Sequence, residues 1–173
     1  MSAYRFLYDT VFDTVEAVTE VNTTLDFNGQ YEEAEEYKLV QYPAVYVEGS
    51  KVVWDKNLNN FDDMGKEPQT GTAEIKLHIV YHTLESFTRR TKDDFFTLID
   101  SVTNSVQRLQ CPPTSVGSFS TLLRIEEEYL TPEKQLRVAI ITFETQLTDI
   151  FEEREQVQEI ITATLKLDIP IKI

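Results

Sequence analysis

The sequence predicts an α+β fold: a mostly antiparallel β-sheet with two helices packed on one face, two long β-hairpins, and a C-terminal extension ending in an edge strand. Three observations predict it. Apolar residues recur at helical spacing in two segments, 3–21 and 91–109. Residues 71–83 alternate apolar and polar with period two, as a half-buried antiparallel strand does. The elements come in the order helix, hairpin, long strand, helix, hairpin, which layers helices against one antiparallel sheet.

The first helix carries Leu7, Val11, Val15 and Val18 as its stripe, flanked by Tyr4, Tyr8 and Phe12, with Asp9, Asp13, Glu16 and Glu20 mainly on the other side. Asn28-Gly29 signals a turn, and Glu32, Glu33, Glu35 and Glu36 then form an acidic run. Residues 43–48 predict a short strand, Gly49-Ser50 a turn, and Val52, Val53 and Trp54 its hairpin partner. Residues 55–69 show little periodicity and predict a long loop. In 71–83, Ala73, Ile75, Leu77, Ile79 and Tyr81 alternate with Glu74, Lys76, His78, Val80 and His82. After the basic patch Arg89-Arg90-Thr91-Lys92, Thr91 is the expected N-cap of the second helix, whose stripe is Phe95, Leu98, Ile99, Val102, Val106 and Leu109. Cys111-Pro112-Pro113 ends it, since proline cannot continue the ladder.

Residues 119–129 and 136–148 predict a second hairpin, turning at Thr131-Pro132-Glu133-Lys134. Leu123, Ile125 and Tyr129 are expected on one face with Glu127. On the return strand Ala139, Ile141, Phe143 and Leu147 share the core face. The pattern breaks after Leu147, which divides the chain into a domain, 1–148, and an extension, 149–173. In the extension Leu165, Leu167, Ile169, Ile171 and Ile173 alternate with Lys166, Asp168, Pro170 and Lys172. Proline lacks an N–H, so this strand belongs at an edge, either of its own sheet or of a neighbouring subunit's.

Composition narrows function by exclusion. Of 173 residues, 30 are acidic and 16 basic, a net charge of −14, which argues against capture of nucleic acid or anionic lipid by electrostatics. A single cysteine, Cys111, excludes an internal disulfide framework and a cysteine-rich zinc site. No apolar run is long enough to span a bilayer, and the acidic N-terminal segment is unlike a signal peptide, so a reducing compartment is expected.

No pattern of reactive residues amounts to an active site. His78 and His82, the two histidines, would lie about 13 Å apart on a strand, too far to share a metal, and are expected on a wet or interfacial sheet face. Cys111 has no base signature beside it and is expected to pack. Glu126 and Glu128 would sit about 7 Å apart on one strand face, more in keeping with a solvated face than with a glycosidase pair. Glu74-Ile75-Lys76, with Asp55, Asp62 or Asp63, matches the acid-x-Lys of metal-dependent nucleases, a motif short enough to arise by chance. No phosphate-cradling glycine motif is present. No cofactor and no metal are expected.

The order of elements resembles that of phage tail terminator (tail completion, head–tail joining) proteins. The matching pieces are Tyr42-Pro43-Ala44-Val45-Tyr46-Val47, the strand 73–82, the helix 95–109 and the hairpin 122–143, and the resemblance covers roughly residues 3–148. It implies a virion structural protein, not an enzyme. Such subunits form a ring, usually hexameric, at the head-proximal end of the tail tube. The ring stops tube growth and meets the head connector, and DNA passes through its lumen without specific binding. The implied partners are other copies of the chain, the tail tube protein and the head connector or neck protein, with no membrane. The implied location is the tail or neck of the virion, and host cytoplasm during assembly. A head completion or neck protein, or a contractile-system cap, of similar fold is the alternative; a metal nuclease is a remote one. Under this reading Leu165, Leu167, Ile169, Ile171, Ile173, Arg89 and Arg90 are the expected subunit interface. Glu32, Glu33, Glu35, Glu36, Glu126 and Glu128 are the expected acidic lumen, where negative charge would let DNA slide.

Overall fold

The computed structural model describes residues 2–29, 40–55, 66–82, 89–107, 109, 111–114, 117–132 and 135–152. The chain runs α1 (Ala3–Glu16), β1 (Thr23–Asp26), β2 (Ala44–Trp54), β3 (Lys66–His82), α2 (Arg89–Gln107), β4 (Cys111–Thr114), β5 (Gly117–Phe119), β6 (Leu123–Leu130) and β7 (Leu136–Glu152). Among the described residues these strands form one seven-stranded sheet in the order β1-β2-β3-β7-β5-β4, with β6 pairing β7. Every pairing is antiparallel except β1 with β2, which is parallel. The α+β reading therefore holds, with both helices on one face.

Each helix buries the stripe expected of it. In α1 these are Leu7, Val11 and Val15; in α2, Phe95, Leu98, Ile99, Val102 and Val106. They meet Val45, Val47, Ala73, Ile75, Leu77, Ile79, Ala139, Ile141, Phe143 and Leu147 from alternate positions of three strands. Each of these larger side chains contributes about 1.5–3 kcal/mol on leaving water. Ser2 caps α1, its hydroxyl accepting from the Arg5 N–H at 3.3 Å.

Several local expectations are corrected. The first helix stops at Glu16 rather than near residue 21. The next residues turn instead, with Val18 N–H on the Val15 carbonyl and Val21 N–H on the Val18 carbonyl, which delivers the chain to β1. That strand had no sequence signature. Asn22 N–H donates to the Pro43 carbonyl, and the Thr23 hydroxyl to the Gln41 carbonyl, so β1 is set by its fit against β2. Gly49-Ser50 is not a turn: β2 runs straight through it, with a bulge between Gly49 and Lys51 absorbing one residue against β3. The hairpin partner of β2 is therefore β3, not residues 52–54. Helix α2 begins at Arg89, so Arg89 and Arg90 open its first turn and Thr91 is not its N-cap; arginine is a good helix former there.

The expected loop 55–69 is shortened from its far end, because β3 already begins at Lys66. Its first residues pair with the end of β7, Lys66 opposite Glu152 through Thr70 opposite Thr148. Pro68 is tolerated there because β2 stops pairing at Trp54–Gly71, leaving this end of β3 with one neighbour among the described strands. β7 likewise continues to Glu152, past the strand end expected at 148. The segments holding Glu32–Glu36 and 153–173 lie outside the described residues.

The outer face of the sheet is also partly buried. Ala44, Tyr46, Val80, Leu136 and Val138 form a second cluster there, with Phe27, Tyr42, Leu130 and Ile140 packed against it. His78 belongs to this side and is 4% exposed, not on a wet face. Its Nε2 lies 2.7 Å from Glu48 Oε2, and its ring stacks on Phe27 at 3.9 Å. A polar side chain reads as solvated in a period-two pattern; here a carboxylate and an aromatic ring make its burial tolerable.

Two contacts yield predictions. A Cβ on Gly71 would lie 2.7 Å from both the Trp54 ring and the Val53 carbonyl, whereas one on Gly49 would meet mainly the hydroxyl end of Tyr4. Gly71→Ala is expected to cost about 1–3 kcal/mol, as overpacking does. Gly49→Ala is expected to cost less, because a side-chain tip yields where backbone does not; urea denaturation of the two variants checks the order. The Tyr8 hydroxyl lies 2.5 Å from Asp26 Oδ1 and 2.9 Å from the Val47 carbonyl, tying α1 to β1 and β2. Burial, and then the Asp26 carboxylate, push its pKa well above the ordinary tyrosine value. Tyr8→Phe is expected to lose about 1–2 kcal/mol, read in the same denaturation experiment.

Candidate interaction surface

A seven-stranded sheet has edges, and their exposure is the first question about any surface it offers. Among the described strands, β6 is an edge along its whole length. β7 is paired with β3 on one side over all seventeen residues, and on the other side it takes β5 at Gly117–Phe119 and then β6 from Leu123 to Leu130. Nothing among the described strands pairs with the far side of β6. Seven of its eight residues are exposed, among them Leu123 at 61%, Ile125 at 51% and Tyr129 at 50%. An eight-residue edge carrying three large exposed apolar side chains is the kind of edge that another chain pairs with.

The two faces of β6 differ. A bulge between Arg124 and Glu126 shifts the register by one residue. Leu123, Glu126, Glu128 and Leu130 then pair with Glu144, Thr142, Ile140 and Val138 and share the outer face, while Arg124, Glu127 and Tyr129 share the helix-side face. Leu123 and Tyr129 are thus on opposite faces, not one; the alternation is broken by a residue that pattern reading counts as ordinary. On the helix side, Tyr129 meets Phe96 of α2 edge-on at 5.9 Å, and its hydroxyl donates to Glu127. Arg124 reaches Glu127 at 3.3 Å, and Lys92 lies 5.7 Å over the Phe96 ring. Desolvation, then the Glu127 carboxylate, push the Tyr129 pKa up to about 12. Phe96, 38% exposed, extends the apolar strip beside Tyr129.

The outer face is acidic. The registers align Glu74 with Lys51 and Glu144, and Glu48 with Lys76 and Thr142; Glu126 continues the second row on β6, and Glu128 lies in the next row, opposite Ile140. Five carboxylates therefore share this face with two lysines. Arg90 is exposed on the first turn of α2.

Among the described residues, the candidate reactive side chains lie apart from one another. Glu74 and Lys76 do share the outer face, but Asp55 accepts from the Thr70 hydroxyl at 2.7 Å, four residues or about 13 Å along the strand from Glu74. Asp62 and Asp63 lie outside the described residues. His82 stacks on Tyr42 at 5.5 Å, remote from the His78–Glu48 pair. Cys111 is half-buried and packs against the main core. Among the described residues, no three His, Cys, Asp or Glu side chains gather as a metal site. A groove of about 690 Å³ between α1 and α2 is lined by Thr10, Thr14, Glu20, Ser101 and Ser105. Four of its hydroxyls are engaged: Thr10 with the Phe6 carbonyl, Thr14 with the Thr10 carbonyl, Ser105 with the Ser101 carbonyl, and Ser101 with Glu20.

Neither β1 nor the outer-face cluster was anticipated from sequence. The one hint was composition: Val80, His78 and Tyr46 place bulky rings and branched chains where a solvated face would carry charge.

No protein-family model and no curated protein matches the chain. Among solved structures, it is similar to a chain of the virion of a native gene transfer agent particle, with 9% identity and a TM-score of 0.44 over 84% of this chain and 92% of that one.

Proposed function

We propose that this chain is a virion structural subunit that forms a ring at the head-proximal end of a phage tail tube, ends tube growth and offers a surface to the head connector. The observation that carries the reading is the order of elements on one sheet. The helix α1, the Tyr42-Pro43-Ala44-Val45-Tyr46-Val47 segment entering β2, the long strand β3, the helix α2 and the β6–β7 hairpin follow one another as in tail terminator proteins. The exposed β6 edge supports self-association, since ring subunits must offer surface to two neighbours. The acidic outer face supports a role beside passing DNA: carboxylates facing a lumen repel phosphate and keep the duplex from sticking. The tube protein, the connector and further copies of the chain are its partners in this reading, and tail or neck its place.

Electron microscopy of particles assembled without this chain is the test. Headless tails of irregular, overgrown length are the expected outcome. Normal-length tails that fail to join full heads would move the subunit to the neck, and intact infectious particles would overturn the reading. Charge reversal on the acidic face away from the β6 edge, Glu74→Lys with Glu144→Lys, is expected to leave tail length unchanged and slow DNA release, followed by dye uptake into DNA leaving triggered particles.

A further inference from the structure

The free edge of β6 has a specific complement in this chain. Residues 163–173 alternate Leu165, Leu167, Ile169, Ile171 and Ile173 with Lys166, Asp168, Pro170 and Lys172. We infer that residues 163–173 of one copy add as a strand to the β6 edge of a second copy. The inference deepens the ring reading and rests on it.

Both faces of β6 match that segment. With its odd-numbered residues on the helix side, the added strand would continue the apolar strip of Tyr129 and Phe96, which are 50% and 38% exposed. Its even-numbered residues, Lys166, Asp168, Pro170 and Lys172, would then lie on the outer face, where a register that sets one of the two lysines opposite Glu126 or Glu128 pairs opposite charges. Pro170 is admissible because a strand added at an edge has one partner and one free side. The obvious rival, β6 against β6 of a second copy, would set Glu126, Glu127 and Glu128 against the same three residues, an arrangement of like charges that cross-strand pairing disfavours.

The direction of β7 favours a second copy over the chain's own edge. At Glu152 β7 is running away from β6, whose pairing begins eight residues back at Glu144. The segment would have to reverse over about 27 Å. It would also have to pass β5 and β4 on that side, with only the ten residues 153–162 as connection. A neighbour's β6 demands no such reversal.

Two full-length variants test the inference. Leu123→Lys/Ile125→Lys blocks the acceptor edge at exposed positions and leaves the segment intact. Leu167→Asp/Ile169→Asp disables the segment and leaves the edge intact. Sedimentation velocity reads the assembly state, and circular dichroism checks that each variant keeps the fold. Each variant alone is expected to run as a 20.1 kDa monomer. Mixed in equal amounts they should form a one-to-one heterodimer, because one intact edge and one intact segment remain. Either variant assembling alone as the unmodified chain does would overturn the inference, as would a mixture that stays monomeric. The two levels separate cleanly. Rings that persist in both variants would leave the ring reading standing on other surfaces. Complementing variants of a chain that builds only open polymers would keep the strand exchange and remove the ring.

Discussion

The antiparallel ladder between β3 and β7 is the constraint on which the rest of this molecule depends. It holds seventeen residue pairs without a register shift, from Lys66–Glu152 to His82–Leu136. A strand of that length extends about 58 Å, whereas the fourteen residues of α1 and the nineteen of α2 span about 21 and 29 Å. Neither helix can cover the ladder along its length. The fold responds by concentrating its core on the stretch from Ala73 to Ile79 opposite Ala139 to Thr145, and by leaving the far end, beyond Gly71, to pair without β2. Everything else is placed relative to that ladder: β2 on one side, β5 and β6 in succession on the other, both helices on one face.

The same constraint explains which features were legible in the sequence. Period-two alternation over Ala73–Tyr81 and Ala139–Phe143 exposed the ladder's centre, and the α1 and α2 stripes exposed its cover, because each pattern records burial on a single face. Where burial is two-sided, alternation fails. Val80 and His78 are buried on the outer face as surely as Ile79 is on the inner one, and nothing in the spacing of charges announces it. Bulges are equally silent: those in β2 and β6 each insert one residue, which made Gly49-Ser50 resemble a turn and placed Leu123 on the wrong face. Strand β1 could not be read at all, since four residues that pair in parallel carry no local signal. Of the proposed surface, the acidic and apolar residues were visible by type, but their division between two faces depends on the bulge.

A sheet covered by helices on one side has two ways to protect what remains: bury the other face or charge it. This molecule does both, in adjacent zones. Around Tyr46, Val80 and Val138 the outer face is closed by an apolar cluster; toward Lys51, Glu74 and Glu144 it is a lattice of charges. The acids outnumber the lysines there, so the face is not a set of closed ion pairs but a field of negative sign. An uncompensated excess has its physical consequence at longer range, on a polyanion passing within a Debye length of about 8–10 Å.

The edge and the face make different demands, and a ring satisfies both at once. In a ring whose lumen is lined by the outer faces of its sheets, strand edges point along the circumference, toward neighbours, while the faces point inward. β6 would then present exposed backbone to the next subunit and Glu126 and Glu128 to the lumen from a single strand. The arrangement also accounts for a combination that is otherwise unfavourable. Large apolar residues at an open edge invite indiscriminate pairing, and the run Glu126-Glu127-Glu128 counters it by repelling copies of itself. An incoming strand must carry positive charge on one face and apolar side chains on the other, which restricts what can pair there. In the proposed assembly, the charge that keeps the edge from self-pairing would thus also select its partner.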